Sequence, residues 1–343
     1  MFQEIEEEDL LSYLNPCPKK KGRFINPYIK NIKRRFFDFF MWQAGKYKNE
    51  TLLATPPNGF SYPNPEQFLD QTKPSVSWVN HSSFFFSYQG VNFLTDPVIY
   101  TQRCSPVSFI GPKRLHEPAI SIEKLTTIDF VLISHDHYDH LDKKTIMMIS
   151  RLAKDVTFIV PEGVNKWFKK LNIKNVVELS WWDTAEFEIL KGFKFKCTAV
   201  PSQHFSGRGL FDKNKTLWCG YALQFFEKQI LQKQLYFVGD TGYNEIDFKV
   251  IGRFFGSFDL SLIPIGTYIP YSFMSPVHIC PYKAVNIHQD VNSKLSIGMH
   301  WRTFKLSEEE TFQPPYDLYL AMKEANLDPL IFRVLEPGQQ INW

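Results

Sequence analysis

The run Phe130-Val131-Leu132-Ile133-Ser134-His135-Asp136-His137-Tyr138-Asp139-His140-Leu141-Asp142 joins a short apolar segment to a cluster of imidazoles and carboxylates. Its first four residues read as a buried strand. Three imidazoles and two carboxylates then fall within His135–His140; these are the usual ligands of zinc and similar borderline metals. Packed into a core without a metal, the same groups would be costly to desolvate. On a helix His135 and Asp139 would share a face while His137 pointed away. On a tight loop capping a strand all can converge, so the pattern predicts a metal site, with a solvated polar loop as the competing reading.

A two-metal site needs more ligands than one loop offers. Three further candidates follow apolar strand-like runs: His204 in Pro201-Ser202-Gln203-His204, Asp240 in Gly239-Asp240-Thr241-Gly242, and His300 after Ser296-Ile297-Gly298-Met299. The glycines around Asp240 permit a tight turn. Each alone is more often a turn residue or a satisfied histidine; together they repeat the placement of the first cluster.

The 343 residues carry 44% hydrophobic side chains and a net charge of +3, which describes a globular chain with a sizeable core and gives no electrostatic case for nucleic acid. Thirty-two phenylalanines serve either the core or an apolar substrate pocket. The five cysteines are scattered, without a C-x-x-C pair, which argues for a reducing compartment and against a disulfide scaffold or a cysteine zinc site. The start, acidic at Glu6-Glu7-Glu8-Asp9, lacks the basic-then-apolar form of a signal peptide, and no run approaches the ~20 apolar residues of a membrane span. The expectation is a cytoplasmic enzyme, peripherally membrane-associated at most.

Residues 1–75 read as an extension and 76–343 as the catalytic domain. Within the extension, a basic, aromatic segment over 24–42 is expected to be helical: Ile29, Ile32, Phe36 and Phe40 follow helical spacing, apart from Lys30, Lys33 and Arg34. Such a helix either lies at a membrane interface or docks its aromatic face on the catalytic domain. Strands are predicted at 75–79, 84–88, 91–95, 130–133, 156–160, 175–179, 193–200, 221–226, 234–238 and 260–264, with helices at 143–154, 164–171 and 282–289. Strands with interspersed helices suggest stacked sheets with helices outside.

The pattern H-x-H-x-D-H over His135–His140, then His204, Asp240 in Gly-Asp-Thr-Gly and His300, resembles the metallo-β-lactamase-fold hydrolases. Within them the chain is similar to the N-acyl-phosphatidylethanolamine-hydrolysing phospholipase D group and its bacterial relatives. The likeness runs from about Trp78 to Gly338 and includes Leu94-Thr95-Asp96-Pro97, Gly111-Pro112-Lys113-Arg114, Trp181-Trp182, Leu217-Trp218, Ile263-Pro264-Ile265-Gly266 and His300-Trp301. Three places depart from the group: Asn80-His81-Ser82-Ser83 for Gly-His-Ala/Ser-Thr, Arg302 for the glycine after His-Trp, and Val277 for a polar residue before His278. They touch no expected ligand and bear on substrate preference.

The resemblance implies an α/β fold, the αβ/βα four-layer sandwich with two central mixed sheets and outer helices. It implies two Zn2+, with iron or manganese compatible with the same donors. One ion would be held by His135, His137 and His204, the other by Asp139, His140 and His300, with Asp240 bridging. Asp96 would support the histidines from behind, and Asp136 drops out. A metal-bridging hydroxide would attack the phosphodiester, yielding N-acylethanolamine and phosphatidic acid. Catalytic roles fall to Asp139 (beside a proton source), Asp240 and His278; the last would bond a phosphate oxygen or else be structural before the helix at 282. His81, His116 and His288 are left outside the site. Expected partners are a phospholipid substrate and a membrane surface met through the 24–42 segment, without nucleic acid; a homodimer is kept as an admissible form. The rivals are a hydrolase of a soluble lactone or phosphodiester, a nuclease, and a non-catalytic lipid-binding protein.

Overall fold

The computed structural model describes residues 7–29, 55–64, 69–70, 72–106, 109, 111–190 and 192–343. The helix expected over 24–42 lies outside these from residue 30 onward, and its described start, residues 24–29, is not helical: Phe24 ends a short strand and bends follow it. The chain begins with helix α1 (Glu7–Tyr13) and a small hairpin, β1 (Lys19–Lys20) with β2 (Arg23–Phe24). A first sheet follows, of β3 (Ser75–Asn80), β4 (Ser83–Tyr88), β5 (Val91–Thr95), β6 (Phe130–Leu132), β7 (Thr157–Pro161) and β8 (Val176–Leu179). Helices α2 (Ile122–Leu125), α3 (Lys143–Leu152) and α4 (Asn165–Lys169) join its later strands. The second sheet is built from β9 (Thr184–Leu190), β10 (Phe193–Val200), β11 (Gly220–Glu227), β12 (Ile230–Phe237), β13 (Leu260–Pro264), β14 (Ser296–Met299) and β15 (Phe332–Arg333). Between and after these run α5 (Asp247–Phe255), α6 (Tyr271–Met274), α7 (Pro281–Asp290) and α8 (Gln313–Glu324). The last strand, β16 (Gln340–Asn342), returns to the first sheet beside β3.

Each sheet has seven strands, ordered β16-β3-β4-β5-β6-β7-β8 and β15-β14-β13-β12-β11-β10-β9. Both are antiparallel over one half and parallel over the other. Hairpin turns make the antiparallel halves, and helical crossovers make the parallel ones. The two-residue periodicity of the strands explains the layers. Along β4 to β6, Phe84, Phe86, Phe93, Phe130 and Leu132 point between the sheets. Their alternates Phe85, Leu94, Val131 and Ile133 pack under Ile146 and Ile149 of α3 and Phe168 of α4. On the far side Phe248, Ile251, Ala284, Ile287, Leu318 and Met322 bring α5, α7 and α8 onto the second sheet. The expected four-layer α/β sandwich is what forms.

The phenylalanines resolve largely into core. Phe86 stacks on Phe93 at 4.7 Å, and Phe195 meets Phe93 at 5.1 Å and Phe130 at 4.7 Å across the sheets. The extension is packed onto this body where it is described: Cys17, Phe24 and Tyr62 join the same core, and Asn26 Nδ2 donates to His204 O at 2.5 Å. Strand β9 was not expected from the sequence, although Ala185, Phe187 and Ile189 alternate with Thr184, Glu186 and Glu188. The β11–β12 hairpin is longer than expected because Lys228 and Gln229 both take positive φ, 49° and 69°, a turn that usually announces itself by Asn-Gly.

Candidate metal centre

The side chains of the cluster emerge at one edge of the sandwich, where strands of both sheets end. His135, His137, Asp139 and His140 follow β6; His204 follows β10, Asp240 follows β12 and His300 follows β14. Asp142 fixes the far end of the β6 loop. Its Oδ1 caps α3 by accepting from Lys144 N at 3.0 Å, while Oδ2 accepts from Tyr100 N at 3.0 Å and Thr101 N at 2.9 Å. Asp136 stays out of the cluster, its carboxylate accepting from Gly207 N at 2.8 Å and Thr216 Oγ1 at 2.9 Å.

Two groups form. In one, His137 Nδ1 lies 2.8 Å from His135 Nε2 and 3.2 Å from His204 Nε2. In the other, Asp139 Oδ2 lies 3.5 Å from His140 Nε2 and 3.6 Å from His300 Nε2. Asp240 Oδ2 stands between them, 3.0 Å from His300 Nε2, 3.2 Å from His140 Nε2, 3.8 Å from His204 Nε2 and 4.0 Å from His135 Nε2. Ligand atoms on a tetrahedron with ~2.05 Å metal bonds are about 3.3 Å apart, so the spacing suits metal ions of that size. The buried atoms Asp240 Oδ1, His140 Nε2 and His300 Nε2 have no hydrogen-bond partner among the described residues. Buried polar groups are normally satisfied, and a pair of cations would satisfy these. The residues fit the expected metals.

Supporting contacts turn each ring. Asp96, wholly buried, accepts from Ser134 N at 2.7 Å and Ser134 Oγ at 2.5 Å, and its Oδ2 lies 2.6 Å from His140 Nδ1. Because the Ser134 hydroxyl hydrogen goes to Asp96, its oxygen is left to accept from His135 Nδ1 at 2.9 Å, which turns the His135 Nε2 lone pair inward. His204 Nδ1 donates to Val277 O at 2.9 Å with the same result. His300 Nδ1 lies 3.1 Å from Thr267 Oγ1, and Thr267 N donates to the buried Glu309 Oε1 at 2.6 Å. These are the outer partners that fix tautomer and ring angle in metal sites. His81, Asp96, Thr267 and His300 have φ of 42°, 29°, 67° and 62°, backbone strain of the kind that collects at functional sites.

Burial depresses His135 and His204 well below the ordinary imidazole pKa and lowers His137 too, giving the neutral rings that ligation requires. Burial pushes Asp139 and Asp240 upward, but the facing His140 and His300 outweigh it and hold both carboxyls well below their usual range. For His140 burial acts downward and is overruled by Asp240, Asp139 and Asp96, which lift it well above its ordinary value. His300 is raised to about 9, against burial, chiefly by Asp240 and Asp139. The carboxylates thus demand positive charge, held on the rings as protons when no metal supplies it.

His278 borders the cluster, with Nδ1 3.9 Å from Asp240 Oδ2 and its ring 5.1 Å from that of His204. It does not cap the following helix, whose N-cap is Cys280. His81 corrects the sequence reading, which left it outside. It sits in the β3–β4 turn with Nε2 3.1 Å from Asp139 Oδ2, its ring 4.0 Å from that of His300, and its carbonyl accepting from His300 N at 3.1 Å. A lone histidine in a hairpin carries no periodic signal, and two of the departures expected to touch no ligand do touch them: His81 meets Asp139 and His300, and the Val277 carbonyl meets His204. Burial first, and then the neighbouring Asp139 carboxylate, push the Cys104 thiol well above its ordinary pKa, a neighbour the sequence did not announce. His116 turns instead to Thr303 Oγ1 at 3.0 Å and His288 to Ser296 Oγ at 2.8 Å.

Two mixed sheets carrying this donor set at their shared edge define a metal-dependent hydrolase of the metallo-β-lactamase fold. The chain belongs to that superfamily: the family described as "Beta-lactamase superfamily domain" matches residues 91–301. It is 37% identical over 268 residues to "N-acyl-phosphatidylethanolamine-hydrolyzing phospholipase D 1" of Caenorhabditis elegans, covering 77% of this chain and 73% of that protein. It is 34% identical over 240 residues to the mitochondrial "N-acyl-phosphatidylethanolamine-hydrolyzing phospholipase D" of Saccharomyces cerevisiae, covering 69% of this chain and 49% of that one. Among solved structures, the isothiocyanate hydrolase from Delia radicum gut bacteria shares the fold at a TM-score of 0.58 and 15% identity, over 78% of this chain and 98% of that one.

Proposed function

We propose that the chain is a two-metal phosphodiesterase of phospholipase D type, hydrolysing N-acyl-phosphatidylethanolamine to N-acylethanolamine and phosphatidic acid. The observation that carries the reading is Asp240 Oδ2, within 4.0 Å of ring nitrogens from both groups, the position of a carboxylate shared by two ions. The likeness to the worm and yeast enzymes supplies the substrate class. His135, His137 and His204 would hold one ion, Asp139, His140 and His300 the other, and Asp240 both. Zinc suits the donors, and iron or manganese also bind them. A bound pair supplies Lewis-acid polarisation and a water acidified towards neutrality.

The chain's own groups do the rest. Asp240, its charge offset by the facing rings, would accept a hydrogen bond from the attacking water and so orient it. As the water oxygen bonds to phosphorus and the ester bond breaks, the proton that the water releases would pass beside Asp139, held from behind by His81, to the departing alkoxide. His278, at 13% side-chain exposure, is open enough to reach a phosphate oxygen and buried enough for that bond to count. The substrate lives in a bilayer, and among the described residues no helix is long and apolar enough to cross one, so the enzyme would work from the membrane surface.

The test is hydrolysis of N-acyl-phosphatidylethanolamine in mixed micelles by metal-loaded and chelator-treated protein, run in 18O-labelled water. Metal-dependent release of N-acylethanolamine with label in phosphatidic acid supports the reading. An inert metal-loaded protein that cleaves a soluble lactone or phosphodiester instead would overturn the substrate and leave the fold and donor set standing.

A further inference from the structure

Directly after His204 the chain runs outward and back over residues 205–215, and the tip of this excursion is unusual for a surface in water. Leu210 is 91% and Phe211 80% exposed. Looseness does not explain it, because the loop is built onto the β6 loop of the metal centre. Gly207 N donates to Asp136 Oδ1 at 2.8 Å, Arg208 Nη1 donates to Asp136 O at 2.7 Å and Leu141 O at 2.9 Å, and Tyr138 Oη donates to Arg208 O at 3.0 Å. The Arg208 guanidinium lies over the Tyr138 ring at 3.9 Å. Asp212 closes the turn by accepting from Gly209 N at 2.8 Å. Two adjacent apolar side chains are therefore held in solvent by a fixed scaffold.

The flank is basic. The β1–β2 hairpin is joined to the loop's return, with Phe24 N donating to Asn214 O at 2.8 Å and Asn214 Nδ2 to Phe24 O at 3.1 Å. Arg23 Nη2 donates to Phe211 O at 3.0 Å. Lys20 and Lys21 of the hairpin and Lys213 and Lys215 of the loop are all exposed. Helix α6, whose Met274 carbonyl accepts from His278 N, adds an exposed ring at Tyr271.

We propose that this edge seats on a phospholipid bilayer with anionic headgroups. Leu210 and Phe211 enter the interface, and Lys20, Lys21, Lys213 and Lys215 meet the headgroups. A protruding pair of side chains rimmed by lysines suits penetration of a soft surface; a stable protein interface would need roughly 800 Å² of matched area per partner. The purpose of the contact rests on the phosphodiesterase reading, but the contact itself can be measured without it.

The full chain is mixed with phosphatidylcholine vesicles, without and with about one-third phosphatidylserine and free of any N-acylated lipid, and floated on a density gradient. Wild type should float with the anionic vesicles. The Leu210→Ser/Phe211→Ser variant should partition about tenfold less or worse. The Lys20→Gln/Lys21→Gln/Lys213→Gln/Lys215→Gln variant should lose the preference for phosphatidylserine, on the order of tenfold or more. Unchanged melting temperatures verify that both variants fold. Wild type that stays in solution with both vesicles, or a serine variant that floats like wild type, overturns the proposal. A lysine variant that keeps the preference overturns the electrostatic assignment. Floating protein that fails on N-acylated lipid in micelles would instead count against the substrate reading alone.

Discussion

Asp139 is held on one side by two expected metal ligands and on the other by His81, and the second side is where a single substitution is most informative. The His81 ring is buried, and its Nε2 approaches Asp139 Oδ2 at 3.1 Å, a positioning contact rather than a ligand bond. Removing it in His81→Ala should free the carboxylate to rotate, weakening metal retention by about 10–100-fold, the usual effect of losing an outer partner. His81→Gln, which keeps a donor, should recover part of that loss. Competition against a chromogenic chelator measures it without reference to turnover, and equal metal affinity in wild type and His81→Ala would exclude the role. Asp240→Asn is the sharper change: it keeps the shape but removes the charge that faces both groups. Bound metal should fall from two equivalents, read by elemental analysis, and kcat should drop by on the order of 10²–10³. The expected ligands were legible because each follows an apolar run and repeats one placement. His81 was not, because its contact with Asp139 is made by folding across 58 residues.

Between residue and fold stands the segment around Pro276, which carries both the carbonyl that orients His204 and the His278 side chain. It is packed against the Asp240 turn so closely that a Cβ on Gly242 would lie 2.5 Å from Pro276 O. Gln203 lies against the same place, accepting from Gly242 N at 2.7 Å and donating to Pro276 O at 3.0 Å. Gly242→Ala must therefore push the Pro276–His278 segment outward. The strain costs about 1–3 kcal/mol, and the stretch or loss of the 2.9 Å bond from His204 Nδ1 to Val277 O loosens one ligand. A lower melting temperature with selective weakening of one of two metal-binding steps in calorimetry is the expected result; two unchanged steps would show that the segment yields without consequence. In the sequence Gly242 reads only as turn punctuation, since its neighbour is 34 residues away. Elements were legible in the same measure: β13 and β14 stand out as apolar runs, whereas the Lys228–Gln229 turn needs a backbone that lysine and glutamine do not advertise.

For the molecule as a whole, the sandwich carries at its edge the carboxylates of three buried residues, Asp96, Asp139 and Asp240. Strand content and a helix-flanked architecture could be read from the chain, but the return of β16 to pair with β3, Gln340 against Ser77, could not, because three residues hold no periodicity. Because those carboxylates are buried only in the folded chain, their charge is a term in global stability. In the metal-free protein the compensating charge is protons on His140 and His300. A histidine raised in the fold to about 9, from an unfolded value of about 6.5, contributes stability that is full below pH 6.5 and lost as pH rises through 9. Bound metals hold their charge over that range and add stability by mass action. Melting temperatures of chelator-treated and metal-loaded protein should therefore differ at pH 7 and move further apart towards pH 10, with the metal-free curve falling. Parallel curves over that interval would mean that the rings do not carry the compensating charge, and that the buried carboxylates are neutralised by taking up protons themselves.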